Sequence, residues 1–313
     1  MFPLPLAGGA YLGWALGAND SANVFGTAVA ARIISFRKAS LLCAIAVILG
    51  AYFQGEAGLH TYRELADQNL QTILVTAVAA AFTVTIMTFF RLPISTSQAV
   101  VGAIAGIGLA TKTMHWAGLQ KVVICWIVTP VGAMFFSCIL YFLLSALMAR
   151  IPMSILTRDK ILWSGLLLVG IYGAYALGAN NVANATGIFS GQFTAQGYTD
   201  SHLTLIGGIA IAFGSITYSK RVMLAVGSGI MPLDAFTGLV AVAAMAVTVH
   251  IFAVIGVPVS TSQGVVGAIF GIGLIRGVNT VNYRTLRIIC IGWVLTPALA
   301  LVLSAAGFAI FCS

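Results

Sequence analysis

The chain has 313 residues, of which 60% are hydrophobic and only 7% charged, and its mean hydropathy is +1.05. An ordinary soluble domain carries about 25% charged residues, so soluble classes are excluded, and the pattern predicts an all-α integral membrane protein. The formal net charge of +8 reads as basic residues gathered in cytoplasmic loops rather than as a nucleic-acid footprint.

Residues 1–18 lack the basic start of a signal peptide and are expected to stay as part of the first helix. That helix runs into the phrase GANDSANVFG at Gly17. Asn19 and Asn23 are four residues apart, and Asp20 and Asn23 three, so all three share one helical face. A carboxylate inside a bilayer costs about 2.5–3.5 kcal/mol and needs a partner. Carboxylate, amide and exposed carbonyl oxygens suit a hard cation such as sodium, and discontinuous helices supply them, so a broken first helix is expected. An Asn/Asp cluster that only packs helices together is the plainer alternative.

Residues 72–90 form an uncharged stretch about as long as a membrane span. Pro93 then interrupts any helix. Ser95, Thr96 and Ser97 are natural N-caps for a helix over residues 98–109, where Gly102 and Gly106 allow close packing. Residues 72–110 therefore read as a helical hairpin with a polar tip. A helix N-terminus deep in the membrane offers N–H donors to an oxyanion, and Gln98 adds an amide. Satisfied hydroxyls at a helix kink are the alternative. A long apolar stretch, 121–148, follows.

The second part repeats the first. LPISTSQAVVGAIAGIGL at Leu92 and VPVSTSQGVVGAIFGIGL at Val257 match at fourteen of eighteen positions. GANNVANATG begins at Gly178 and supplies Asn180, Asn181 and Asn184. Trp126, Thr129 and Pro130 recur as Trp293, Thr296 and Pro297. The chain thus divides into repeat 1 (1–149), a cytoplasmic linker (150–160) and repeat 2 (161–313), whose hairpin spans about 236–275 and whose tip carries Ser260, Thr261, Ser262 and Gln263. Duplicated halves with interrupted apolar segments point to a secondary transporter. Three crossings plus a re-entrant hairpin per half would invert the second half. One face then holds Arg32, Arg37, Lys38, Arg150, Arg158, Lys160, Lys220, Arg221, Arg276, Arg284 and Arg287, eleven basic residues against three on the other. Four crossings per half would give nine against six, so the positive-inside rule favours inversion, with both termini outside the cytoplasm.

These phrases resemble the PiT family of inorganic phosphate transporters, which carry a GANDxAN-type signature and a P-[IV]-S-[ST]-x-H-type phrase in each half. The resemblance spans the whole chain. It implies import of inorganic phosphate with sodium or protons across the plasma membrane (the inner membrane of a bacterium), by a multi-pass, dimeric protein in the lipid bilayer. Carried over, it places phosphate on Thr96, Ser97, Gln98, Thr261, Ser262 and Gln263, with Ser95 and Ser260 able to serve either ligand. It places the cation on Asn19, Asp20, Asn23, Asn180, Asn181 and Asn184. Asn181 stands where many relatives have Asp, and Gln98 and Gln263 where many have His. Gln54 stands where some relatives are acidic. Each departure removes a titratable group, which favours sodium over protons. A proton-coupled or metal–phosphate carrier, a sulfate permease of the same family and a channel remain as alternatives.

The five cysteines lie in apolar stretches without metal-type spacing and read as packed thiols. His60, His115, His202 and His250 are scattered, so neither catalysis nor a cofactor is expected. Arg91 reads equally as an extra phosphate donor and as a side chain that snorkels or pairs with polar backbone, and its matching residue, Gly256, is neutral.

Overall fold

The computed structural model describes residues 4–90, 94–194, 196–229, 233–277 and 282–312. Arg91 and Pro93 fall outside them. The described chain is a bundle of helices: α1 (Leu4–Ala30), α2 (Phe36–Gln54), α3 (Glu56–Arg63), α4 (Leu70–Phe89), α5 (Thr96–Thr111), α6 (Trp116–Arg150), α7 (Ile155–Thr186), a 3-10 turn (Gly187–Phe189), α8 (Ser190–Thr194), α9 (Asp200–Thr217), α10 (Lys220–Gly229), α11 (Ala235–Ile255), α12 (Thr261–Arg276) and α13 (Tyr283–Phe311). Among the described residues, α2, α4, α6, α7 with α8, α11 and α13 are long and apolar enough to cross a membrane. At sixteen residues, α5 and α12 reach only about 24 Å, short of a full span.

The two polar phrases cap as expected. The Ser95 hydroxyl accepts the Gln98 N–H at 3.2 Å, and the Ser260 hydroxyl accepts the Gln263 N–H at the same distance. The expected break in the first helix of each half does not occur. Both α1 and α7 run unbroken through the GAND and GANN phrases. Neither phrase contains proline, and the amide side chains turn outward to other helices instead of competing for their own backbone. The interruptions fall elsewhere, at Gly55 between α2 and α3 and after Thr186.

The glycines of these phrases set how closely helices cross. A Cβ on Gly17 would collide with the Ile211 carbonyl on α9, and one on Gly214 with the Trp14 carbonyl on α1. The same holds for Gly178 against Val47 and for Gly50 against Tyr175, where α7 crosses α2. Backbone touches backbone at both crossings, so no side chain larger than hydrogen fits.

Each hairpin is closed at its base. In the first, Ala66 pairs with Met114 and the Leu65 carbonyl accepts the His115 N–H at 2.9 Å. In the second, Arg276 pairs with Asp234 at 2.8 Å. Asp234 also caps α11 by accepting the Thr237 N–H at 2.8 Å. Burial pushes the Asp234 carboxyl up, but the Thr237 N–H and the Arg276 guanidinium outweigh it and hold the group below its ordinary value. The second base lies beside the start of α7, around Arg158 and Leu162. The first lies beside the far end of α7, around Ile188 and Gly191. The hairpins therefore enter from opposite ends of the bundle. The α5 arm packs along α13 and the α12 arm along α6, so each hairpin rests on the last helix of the other half. The outer faces of α6 and α13 expose Ile127, Phe142, Val294 and Phe311, a surface suited to lipid rather than water.

Candidate ion and oxyanion site

The hairpin tips meet in the middle of the bundle. The Ser97 hydroxyl of the first donates to the Val259 carbonyl of the second at 2.9 Å. All fourteen predicted site residues gather around this junction's helices and are less than 5% exposed.

Asp20, on α1, ties the two halves together. Its Oδ2 accepts the Thr96 hydroxyl from the first tip at 2.7 Å and the Asn181 amide from α7 at 3.1 Å. This is the partner a buried carboxylate requires. Asn180 grips the second tip, donating to the Val257 carbonyl at 3.2 Å and accepting the Val259 N–H at 2.9 Å. Asn23 donates to the Thr261 hydroxyl at 3.2 Å, and Asn184 to the Ser97 hydroxyl at 3.1 Å. Asn19 donates to the Thr88 hydroxyl at 2.9 Å. Ser260 and Ser262 share a hydrogen bond at 2.9 Å. The asparagines thus act between helices, linking α1 and α7 to both hairpins.

Four acceptor oxygens in this network have no donor among the described residues: Asp20 Oδ1, Asn181 Oδ1, Gln98 Oε1 and Gln263 Oε1. Each such buried group costs about 1–3 kcal/mol if left unmet. Two of the four sit on Asp20 and Asn181, which already bond each other. An oxygen-lined position beside a carboxylate suits a hard cation. A helix N-terminus suits an oxyanion, and the first turns of α5 and α12 lie beside this position, Thr96 on Asp20 and Thr261 on Asn23. Two cavities of about 500 and 520 Å³ open elsewhere, between α4 and α13 and at the base of the second hairpin. The site residues themselves are buried.

Sequence reasoning missed three participants. Tyr62 on α3 is fully buried and donates its hydroxyl to Asn184 Oδ1. Thr61 donates to the Gly256 carbonyl at 2.6 Å, where a left-handed glycine (φ 80°) ends α11. Thr88 receives Asn19. No repeated phrase marks these residues, and their partners are between 69 and 195 positions away in the chain. The histidines also differ from the scattered picture in one case. His250 is held by Gln54 at 2.6 Å and Tyr172 at 2.7 Å, against α2 and α7.

Residues 16–304 match the model of a family described as the phosphate transporter family. A putative phosphate permease of Methanocaldococcus jannaschii is 30% identical over 94% of this chain and 92% of its own. A sulfate permease, CysP, of Bacillus subtilis is 29% identical over 92% of this chain and 82% of its own. A solved structure titled "The sodium-dependent phosphate transporter" shares the fold, with a TM-score of 0.89 over 98% of this chain and 97% of its own, at 24% identity.

Proposed function

Because the chain belongs to the phosphate transporter family, we propose that it is a secondary active transporter that imports inorganic phosphate with sodium by alternating access. One observation carries the reading. A single buried carboxylate, Asp20, joins the first hairpin tip to α7 while its second oxygen and that of Asn181 await a positive partner.

In this reading the cation takes oxygens from Asn19, Asp20, Asn23, Asn180, Asn181 and Asn184. Phosphate takes the hydroxyls and first-turn N–H groups of Ser95, Thr96, Ser97, Ser260, Thr261 and Ser262, with the amides of Gln98 and Gln263. The free acceptors favour phosphate over sulfate, because a phosphate hydroxyl can donate to one of them and sulfate has no such hydrogen. Asn181, Gln98 and Gln263 do not titrate, which favours sodium over protons as the coupled ion.

The hairpin bases at opposite ends of α7 support two inverted repeats, residues 1–149 and 161–313, joined by a cytoplasmic linker at 150–160. Opening towards one side then means moving one hairpin while the other stays shut. The site, with every ligand buried, corresponds to an occluded step. The basic loops favour a cytoplasmic linker in a protein that spans the plasma membrane. The apolar faces of α6 and α13 meet lipid and, following the family resemblance, a second copy of the chain.

The test is uptake of labelled phosphate into proteoliposomes under an inward sodium gradient or an inward proton gradient, with excess sulfate as competitor. Sodium-driven uptake indifferent to sulfate is expected. Uptake driven by protons alone at zero sodium would overturn the coupling, and full block by sulfate would overturn the substrate.

A further inference from the structure

The repeated Trp-x-x-Thr-Pro phrase has no part in the site as described so far. It sits on α6 (Trp126, Thr129, Pro130) and α13 (Trp293, Thr296, Pro297). Each Thr hydroxyl bonds the carbonyl four residues back, at 2.6 Å in both copies. Each proline lacks an N–H, so the carbonyl of the tryptophan four residues before it loses its helical donor. The helix surface at that point lies against the facing hairpin arm. A Cβ on Gly102 would collide with the Pro297 carbonyl, and one on Gly106 with the Leu301 carbonyl. In the other half, Gly267 meets Pro130 and Gly271 meets Met134.

These contacts fix the register. Both helix pairs run parallel, four residues against four. One turn before Gly102 stands Gln98, and one turn before Pro297 stands Trp293. Likewise Gln263 stands level with Trp126. Residues four apart share a helix face, so each tryptophan stands level with the glutamine of a hairpin tip, on the packed side of its helix. The indole nitrogens of Trp126 and Trp293 are buried without an acceptor, and the carboxamide oxygens of Gln98 and Gln263 are buried without a donor. A donor-only group and an orphaned acceptor thus stand level with each other twice, once in each copy of the repeat.

We propose that Trp126 and Trp293 are positioning residues that orient Gln263 and Gln98 for the transported oxyanion. A carboxamide has an acceptor end and a donor end, and the unprotonated oxygens of an oxyanion can use only the donor end. An indole N–H can hold only the acceptor end. Closing the Trp–Gln bond therefore turns the glutamine NH₂ towards the anion. The bond is unmade here and closes when the anion binds. This inference rests on the reading of Gln98 and Gln263 as anion ligands.

The test combines a double-mutant cycle with a spectroscopic signal. Trp293→Phe keeps the ring and removes the N–H. Gln98→Ala removes the acceptor. The half-saturating phosphate concentration should rise about tenfold in each single variant and no further in the double variant. Additive effects in the double variant would overturn the pairing. In protein carrying ¹⁵N-tryptophan, the indole N–H signal of Trp293, assigned by its absence in Trp293→Phe, should move downfield when phosphate and sodium are added. The shift should vanish in Gln98→Ala. An indole signal indifferent to Gln98→Ala, with sulfate or phosphate as the anion, would overturn the inference. Failure of the unaltered protein to take up phosphate would instead overturn the substrate reading, and the indole signal would still judge the Trp–Gln contact.

Discussion

Replacing Asn181 by aspartate converts a donor to Asp20 into a second carboxylate. The Asn181 amide lies 3.1 Å from Asp20 Oδ2. Losing that charge-assisted hydrogen bond costs about 1.5–3 kcal/mol. Two unit charges at this separation repel by about 5 kcal/mol at an effective dielectric constant of 20. The sum, about 7 kcal/mol, rivals the whole stability of a typical domain. A cation lodged between the two carboxylates relieves most of it. The variant should therefore unfold at a temperature about 10 °C below the unaltered protein without sodium. It should regain part of that difference as sodium is added, since each tenfold rise above the dissociation constant contributes about 1.4 kcal/mol. The assay is thermal unfolding in detergent across a sodium series, with choline keeping ionic strength constant. A variant whose unfolding temperature ignored sodium, or matched the unaltered protein throughout, would refute the assignment of a cation to Asp20 and Asn181.

Thr96→Val removes one of the two donors to Asp20 and should cut phosphate uptake about 5- to 150-fold, given about 1–3 kcal/mol for the lost donor; Thr96→Ser should keep most of it, and equal uptake in both would sink the role of the hydroxyl. Gly178→Ala drives a Cβ into the Val47 carbonyl and should leave little folded protein by size-exclusion chromatography, whereas Gly132→Ala, whose nearest neighbour is the Thr248 methyl at 3.4 Å, should fold normally. Asp234 is held below its ordinary pKa, so its stabilising contribution is complete above that ordinary value and is lost as pH falls through the depressed one. Asp234→Asn should accordingly be less stable than the unaltered protein at neutral pH, and the gap should close on acidification; a gap that widened in acid would contradict the assignment.

Much of the site was legible because it is written twice. The Ser-Thr-Ser-Gln tips were placed at helix N-termini from their cap chemistry, and Ser95 and Ser260 do cap α5 and α12. The GAND and GANN faces were placed from three- and four-residue spacing, and they do share one network. The break expected within α1 and α7 was misplaced, because a polar cluster in an apolar helix does not by itself unwind it when neighbouring helices receive its side chains. Tyr62, Thr61 and Thr88 carried no signal, since what makes each matter is a partner far away in the chain. The Gly17 and Gly178 contacts were equally hidden: a glycine in a helix declares room for an approach without saying which helix approaches. His250 shows the same limit, with Gln54 196 positions away.

The crossed seating of the hairpins has a consequence for how the molecule is made. The first hairpin leaves the ribosome with residue 111, but α13, the helix it rests on, begins only at Tyr283. For some 170 residues of synthesis, the close-packing face of α5, with Gly102 and Gly106, has no docking partner. Non-local contacts of this kind delay folding and lengthen the life of incomplete intermediates. Neither half can finish alone: a fragment ending at the linker would hold a hairpin without its bed and a bed, α6, without its hairpin. Two fragments cut at residues 150–160 and made together should find each other in the membrane, since each carries what the other lacks.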